Sequence, residues 1–146
     1  MFEFCSYIPT KVVFGPGKLK ELASMKLPGK KALICVTEDG LMEKLGIQGR
    51  VLQYLSQNQI ESVVYDKVTP NPTRKGVMEA AELAKTENCD FFIGLGGGSS
   101  IDTAKAASIM MVNEGDLWDY AQAGTGGKRR FSCDDYYDDS RYWDRV

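Results

Sequence analysis

The sequence predicts an α/β fold: a doubly wound, mostly parallel sheet with helices on both faces. Three observations carry this. Short apolar runs alternate with stretches of helical period along the chain. The run Ala32-Leu33-Ile34-Cys35-Val36 is apolar at every position, as in a strand covered on both faces. The run Phe91-Phe92-Ile93-Gly94-Leu95 enters three glycines and then a further helical pattern, a strand–turn–helix layout.

The elements follow in order. Lys11-Val12-Val13-Phe14 reads as a strand closed by the Gly15-Pro16-Gly17 turn. Leu19, Leu22 and Ala23 then recur at helical spacing. After the Ala32–Val36 strand, Leu41 to Leu45 reads as a short helical turn. Val51, Leu52 and Leu55 mark a longer helix, broken near Asn58. Ser62-Val63-Val64-Tyr65 is the next strand, and Pro70-Asn71-Pro72 a rigid loop. Val77, Ala80, Ala81 and Ala84 fit one helix face, with Thr73 as a candidate N-cap. Beyond the glycines, Ile101, Ala104, Ser108 and Met111 form one face of a helix, for which Ser99 or Ser100 is the expected N-cap.

Composition narrows the function. The 146 residues fit about one ordinary domain, and a hydrophobic content of 43 % with a net charge of −2 fits a globular chain. No basic excess points to nucleic acid. The opening Met1-Phe2-Glu3-Phe4 has neither a basic region nor a long apolar run, so no secretion signal and no membrane span are expected. Cys5, Cys35, Cys89 and Cys133 form no Cys-x-x-Cys pair and read as free thiols in a reducing cytoplasm. The sequence contains no histidine, so the commonest transition-metal ligand and the commonest general base near neutral pH are missing.

Ligands of such sheets bind at the carboxyl ends of the strands, so the segments beginning at Thr37, Asp66 and Gly96 matter most. Gly96-Gly97-Gly98-Ser99, opening a helix, suits a pyrophosphate: glycines let backbone approach closely, and the helix N-terminus offers N–H groups and partial positive charge. The same loop also reads as a structural turn. It is no Walker loop, because no Gly-Lys-Ser/Thr follows. Asp102 in the first turn of the helix, taken alone, more often just favours the helix dipole. Glu38, after the Ala32–Val36 strand, is placed to accept hydrogen bonds from a ribose diol, or belongs to a polar turn. Asn71 between two prolines is held for an amide contact, or belongs to a plain loop.

Taken together, Pro9-Thr10-Lys11-Val12-Val13-Phe14-Gly15, Val36-Thr37-Glu38, Pro70-Asn71-Pro72-Thr73 and the Gly96-to-Lys105 loop and helix resemble the iron-dependent (group III) alcohol dehydrogenases over roughly residues 2–127. The resemblance implies a dehydroquinate synthase-like N-terminal α/β domain that binds NAD(P), residues 1–127, without the helical C-terminal domain. Dehydroquinate synthases and glycerol dehydrogenases share the architecture, but the Pro-Asn-Pro-Thr and Gly-Gly-Gly-Ser-x-x-Asp combination fits the alcohol dehydrogenases better. In that family a divalent metal, Fe2+ or Zn2+, polarises the alcohol oxygen while hydride passes to the nicotinamide. By resemblance, Gly96, Gly97, Gly98 and Ser99 hold the pyrophosphate, and Asn71 and Asp102 lie beside the cofactor. Glu38 takes the place of a ribose-binding Asp and favours NAD over NADP. The metal ligands, one Asp and three His of the helical domain, have no counterparts here, so the metal belongs to a full-length parent only.

After Gly127 the resemblance stops. Residues 131–146 are acidic and aromatic, with no helix or strand period, and residues 128–146 read as a disordered tail. The genetic code permits another account. Read one base later, each Asp-Asp pair must encode Met or Thr, Cys133-Asp134 must encode Val or Ala, and Trp143-Asp144 must encode Gly. One allowed reading of the whole tail is FPVMITMTTAGTGTE, which resembles the strand and cofactor loop of the family at this point. A shift of frame between about Gly126 and Phe131 is therefore expected. The expected parent is a cytoplasmic enzyme acting on a small-molecule alcohol or aldehyde, a homodimer being common in the family, and the chain itself is expected to be inactive. The alternatives are a stand-alone, weak dinucleotide-binding module and a non-functional truncated product.

Overall fold

The structure, a computed structural model, describes residues 10–122 and 133–134. A 3-10 helix, Lys18–Ala23, precedes β1, Lys31–Thr37. Then come α1, Leu41–Lys44, and α2, Ile47–Gln57. They are followed by β2, Glu61–Val68, α3, Arg74–Thr86, and β3, Phe91–Gly94. The last described elements are α4, Gly98–Val112, α5, Leu117–Gln122, and the two-residue β4, Cys133–Asp134. The sheet has the order β2-β1-β3-β4, and every neighbouring pair is parallel. This is the α/β sheet expected from the sequence.

β1 is apolar throughout because both of its faces are covered. Alternate side chains enter two different cores. Leu33 and Cys35, with Phe92 of β3, pack under α3 and α4. Ala32, Ile34 and Val36, with Phe91 and Ile93, pack against the 3-10 helix and α2 through Leu22, Val51 and Leu55. The amino-terminal end of the sheet is pinned by Asp90, whose Oδ2 accepts from the N–H groups of Lys30 (2.7 Å) and Lys31 (2.9 Å). Gly29 permits this approach, since a Cβ there would stand 2.3 Å from Asp90 Cβ.

α3 buries Val77, Ala80, Ala81 and Ala84, and its N-cap Thr73 accepts from Gly76 N–H at 3.2 Å. α4 turns small side chains (Thr103, Ala104, Ala107, Ser108) inward. Small residues let the helix lie close to the sheet and to α3.

Two expectations are corrected. Lys11–Phe14 is not a strand: Val12 and Phe14 are 80 % and 82 % exposed, and no described strand runs beside them. β-branched apolar residues favour a strand, but a strand also needs a neighbour to take its backbone N–H and C=O groups, and none stands beside this segment among the described residues. Nor is α4 capped by Ser99 or Ser100. Its N-cap is Gly97, with no side-chain cap, and Ser100 is buried within the first turn. The expected tail, residues 128–146, lies outside the described residues except for β4, whose Cys133 and Asp134 stand opposite Phe92 and Ile93.

Candidate functional site

The strand order places a ligand crevice. From β1 the chain winds outward to β2, then crosses back past β1 to β3. The winding reverses between β1 and β3, and open sheets bind ligands outside the carboxyl ends at such a reversal. Here the two ends separate. Glu38 N–H donates to Val68 O at 3.0 Å, turning the chain after β1 toward β2. Leu95 N–H donates to Cys35 O at 2.9 Å, keeping the chain after β3 beside β1 for one residue more.

The glycine run then divides its work. Gly94 lets α4 lie on β3, because a Cβ there would meet the backbone of Ile101 at 2.7 Å. Gly96 turns the chain with φ +125°, a region that L side chains rarely adopt. Gly97 and Gly98 are exposed, and a Cβ on either would meet nothing within 4 Å. Open space thus lies before the first turn of α4, where the N–H groups of Ser100 and Ile101 are taken by Gly97 O, while those of Gly98 and Ser99 open the helix and carry its partial positive charge. This fits a phosphate.

Around this opening the expected residues fall as follows. Asn71 has φ +58°, in the left-handed region that Asn tolerates better than most side chains, and its N–H donates to Ser99 Oγ at 3.4 Å. The Pro-Asn-Pro loop and the glycine loop are therefore joined. The Ser99 hydroxyl proton is not used in that bond and is available to an acceptor. Asp102 and Glu38 are both exposed, and neither carboxylate has a partner among the described residues. Asp39 differs. Its Oδ1 accepts from Leu41 N–H (3.0 Å) and Thr37 Oγ1 (2.8 Å). These bonds, the backbone one foremost, hold its carboxyl below the usual range. Asp39 shapes the turn, and the Glu38 side chain stays exposed.

Sequence reasoning did not foresee that Ser100 would be buried under Gly96. Its Oγ is buried without a partner, 3.4 Å from where a Cβ of Gly96 would stand. It also missed Lys44, whose Nζ donates to Asp39 O at 2.9 Å. Gly94 did leave a signal, since glycine inside a strand marks a close backbone approach.

Among the described residues no group of three or more His, Cys, Asp or Glu side chains is placed to hold a metal ion. The described residues do not fit the metal that the resemblance implies. Among the same residues, no helix is long and apolar enough to cross a membrane.

Alcohol dehydrogenase 4 of Schizosaccharomyces pombe is 39 % identical over 115 residues, which cover 78 % of this chain and 27 % of the relative. Choline dehydrogenase of Bacillus subtilis is 41 % identical over 120 residues, 80 % of this chain and 29 % of the relative. The crystal structure of NADH-dependent butanol dehydrogenase A from Thermotoga maritima superposes with a TM-score of 0.81 at 32 % identity, covering 91 % of this chain and 34 % of that one. The chain thus spans about a third or less of the length of these relatives. The family model for iron-containing alcohol dehydrogenases matches residues 9–133, and the chain belongs to that family.

Proposed function

We propose that this chain is the dinucleotide-holding part of an NAD-dependent alcohol dehydrogenase. The observation that carries the reading is the open N-terminus of α4 at the point where the winding reverses, with Glu38 exposed at the same end of the sheet. Gly96, Gly97, Gly98 and Ser99 would hold the pyrophosphate, with the Ser99 hydroxyl donating to a phosphate oxygen. The Glu38 carboxylate would accept from both hydroxyls of the adenosine ribose, which favours NAD over NADP. Asn71, fixed against Ser99, and Asp102 would flank the cofactor. The bound nicotinamide supplies a hydride acceptor for an alcohol carbon. The parent acts on a small alcohol or aldehyde in the cytoplasm, as a homodimer, with Fe2+ or Zn2+ held by residues outside these 146.

By themselves the 146 residues bind NAD weakly and do not oxidise alcohols. Fluorescence titration with NADH tests this directly. Saturable binding with a Kd weaker than about 1 µM, less favourable than about −8 kcal/mol, is expected. No binding at millimolar NADH overturns the reading. Metal-dependent oxidation of ethanol or a diol by the purified chain overturns the expected inactivity.

Residues 1–127 form the cofactor domain, and residues 128–146 arise from a shifted frame. The position of β4 supports the second point. Cys133 and Asp134 occupy a sheet position beside β3, where the shifted reading has Val-Met. Resequencing the DNA across codons 124–150 tests it: one base gained or lost, with the frame open into a histidine-containing helical domain, is the expected result. Confirmation of the given frame with a stop after Val146 removes the proposal.

A further inference from the structure

Glu38 is an exposed carboxylate at the carboxyl end of β1 without a partner among the described residues, and a cation is held at the backbone carbonyl of the next residue. The chain turns after Asp39 through Gly40, φ +66°. The turn brings Lys44 back along α1, so that its ammonium donates to the carbonyl of Asp39, the residue next to Glu38, at 2.9 Å. That bond uses one of three ammonium donors. Gly40 leaves room for the stem, since even a Cβ there would lie 3.8 Å from Lys44 Cε.

We infer that Lys44 is a latent second determinant of cofactor choice: when the Glu38 carboxylate is absent, the Lys44 ammonium takes the 2′-phosphate that Glu38 otherwise repels. The inference rests on the dinucleotide reading above. A carboxylate accepts from a ribose diol, whereas a 2′-phosphate has only acceptors and shares its charge. Once Glu38 is removed, the nearby Asp39 carboxylate stays committed to Leu41 N–H and Thr37 Oγ1. Lys44, held on the same turn, is then a counter-charge that can be re-aimed toward the site. A lysine suits the task, because its compact ammonium on a flexible four-carbon stem re-aims by side-chain rotation alone.

The test is calorimetric titration of the full 146-residue chain with 5′-ADP and 2′,5′-ADP, probes that differ at the 2′-phosphate. Circular dichroism melts check that each variant folds. The wild type is expected to favour 5′-ADP. Glu38→Ala should shift the affinity ratio toward 2′,5′-ADP by about tenfold or more, the scale of one charge-assisted hydrogen bond. Adding Lys44→Ala to Glu38→Ala should remove most of that shift. Adding Lys85→Ala, an exposed lysine in the last turn of α3, should leave it in place. Lys44→Met keeps the stem and replaces Lys44→Ala if the latter fails to fold. A shift that survives loss of Lys44, or no shift in Glu38→Ala, overturns the inference while leaving dinucleotide binding intact. A wild type that binds neither probe overturns the dinucleotide reading, and the inference with it.

Discussion

Replacing Gly94 by alanine tests the packing that holds the glycine loop. Gly94 ends β3, and the first turn of α4 lies directly on it. An added Cβ would stand 2.7 Å from Ile101 Cα, 2.9 Å from Ile101 N and 3.0 Å from Ser100 O. All three are backbone atoms, so no side chain can swing aside. Relief requires α4 to move off the sheet by about 0.7 Å to reach ordinary contact. That movement would separate Ala104, Ala107 and Met110 from the core they fill. Overpacking typically costs about 1–3 kcal/mol, and a rigid backbone on both sides places Gly94→Ala near the top, about 3 kcal/mol. Against a total stability of about 5–15 kcal/mol, this is large. For a chain of this size it lowers Tm by roughly 6–12 °C. Gly97→Ala is the matched control. It has open space around its Cβ and a φ of −82°, so stability should stay within about 0.5 kcal/mol. Its methyl would instead stand where a phosphate approaches α4, and NADH affinity should fall. Thermal melts of both variants, with NADH titrations below the melt, separate packing from binding. A Gly94→Ala protein melting within about 2 °C of wild type would refute the close approach of α4 to β3.

Three further outcomes follow from the same structure. Ser100→Ala removes a buried oxygen without a partner and should leave stability unchanged or raise it by up to about 1 kcal/mol; a urea midpoint showing a larger loss would mean that the hydroxyl is bonded after all. Thr73→Ala removes the cap of α3 and should cost about 1 kcal/mol, and because Asn71 lies two residues upstream, slower NADH association or weaker binding should accompany it. Tyr65, pushed up to about 12 by burial and then by the charge and hydrogen bond of Glu79, stays neutral in the folded state after the unfolded phenol has ionised near 10. The unfolded state binds fewer protons in that window, so stability falls as pH rises from about 10 to 12. Denaturant midpoints of Tyr65→Phe should show a shallower fall across it, and an identical fall would clear Tyr65 of the effect.

What could be read from the sequence depended on whether local pattern or tertiary neighbours decided the structure. β1 was legible because burial on both faces demands an unbroken apolar run, and Ala32–Val36 has one. α3 was legible because its small apolar face and Thr73 cap are both local signals. Lys11–Phe14 carried the residues of a strand, but among the described residues no strand lies beside it. The start of α4 was misjudged for a related reason: serine is a good cap, but the close approach of Gly94 to Ile101 fixes where the helix begins and carries Ser100 inside. The place of Lys44 follows from a left-handed turn at Gly40, which spacing along the chain does not reveal.

The glycine run shows most clearly what the fold adds. As a string it read as a phosphate cradle, with a tight turn as the alternative. In three dimensions its members serve different ends: Gly94 admits a helix, Gly96 reverses the backbone, and Gly97 and Gly98 leave space open to solvent. A mere turn requires the first two functions but not the third. Open space at the N-terminus of a fifteen-residue helix, at the point where the sheet reverses its winding, is the feature that favours the cradle. It also explains why substitutions at Gly94 and Gly97, three residues apart in one motif, should fail in opposite ways, one in stability and the other in binding.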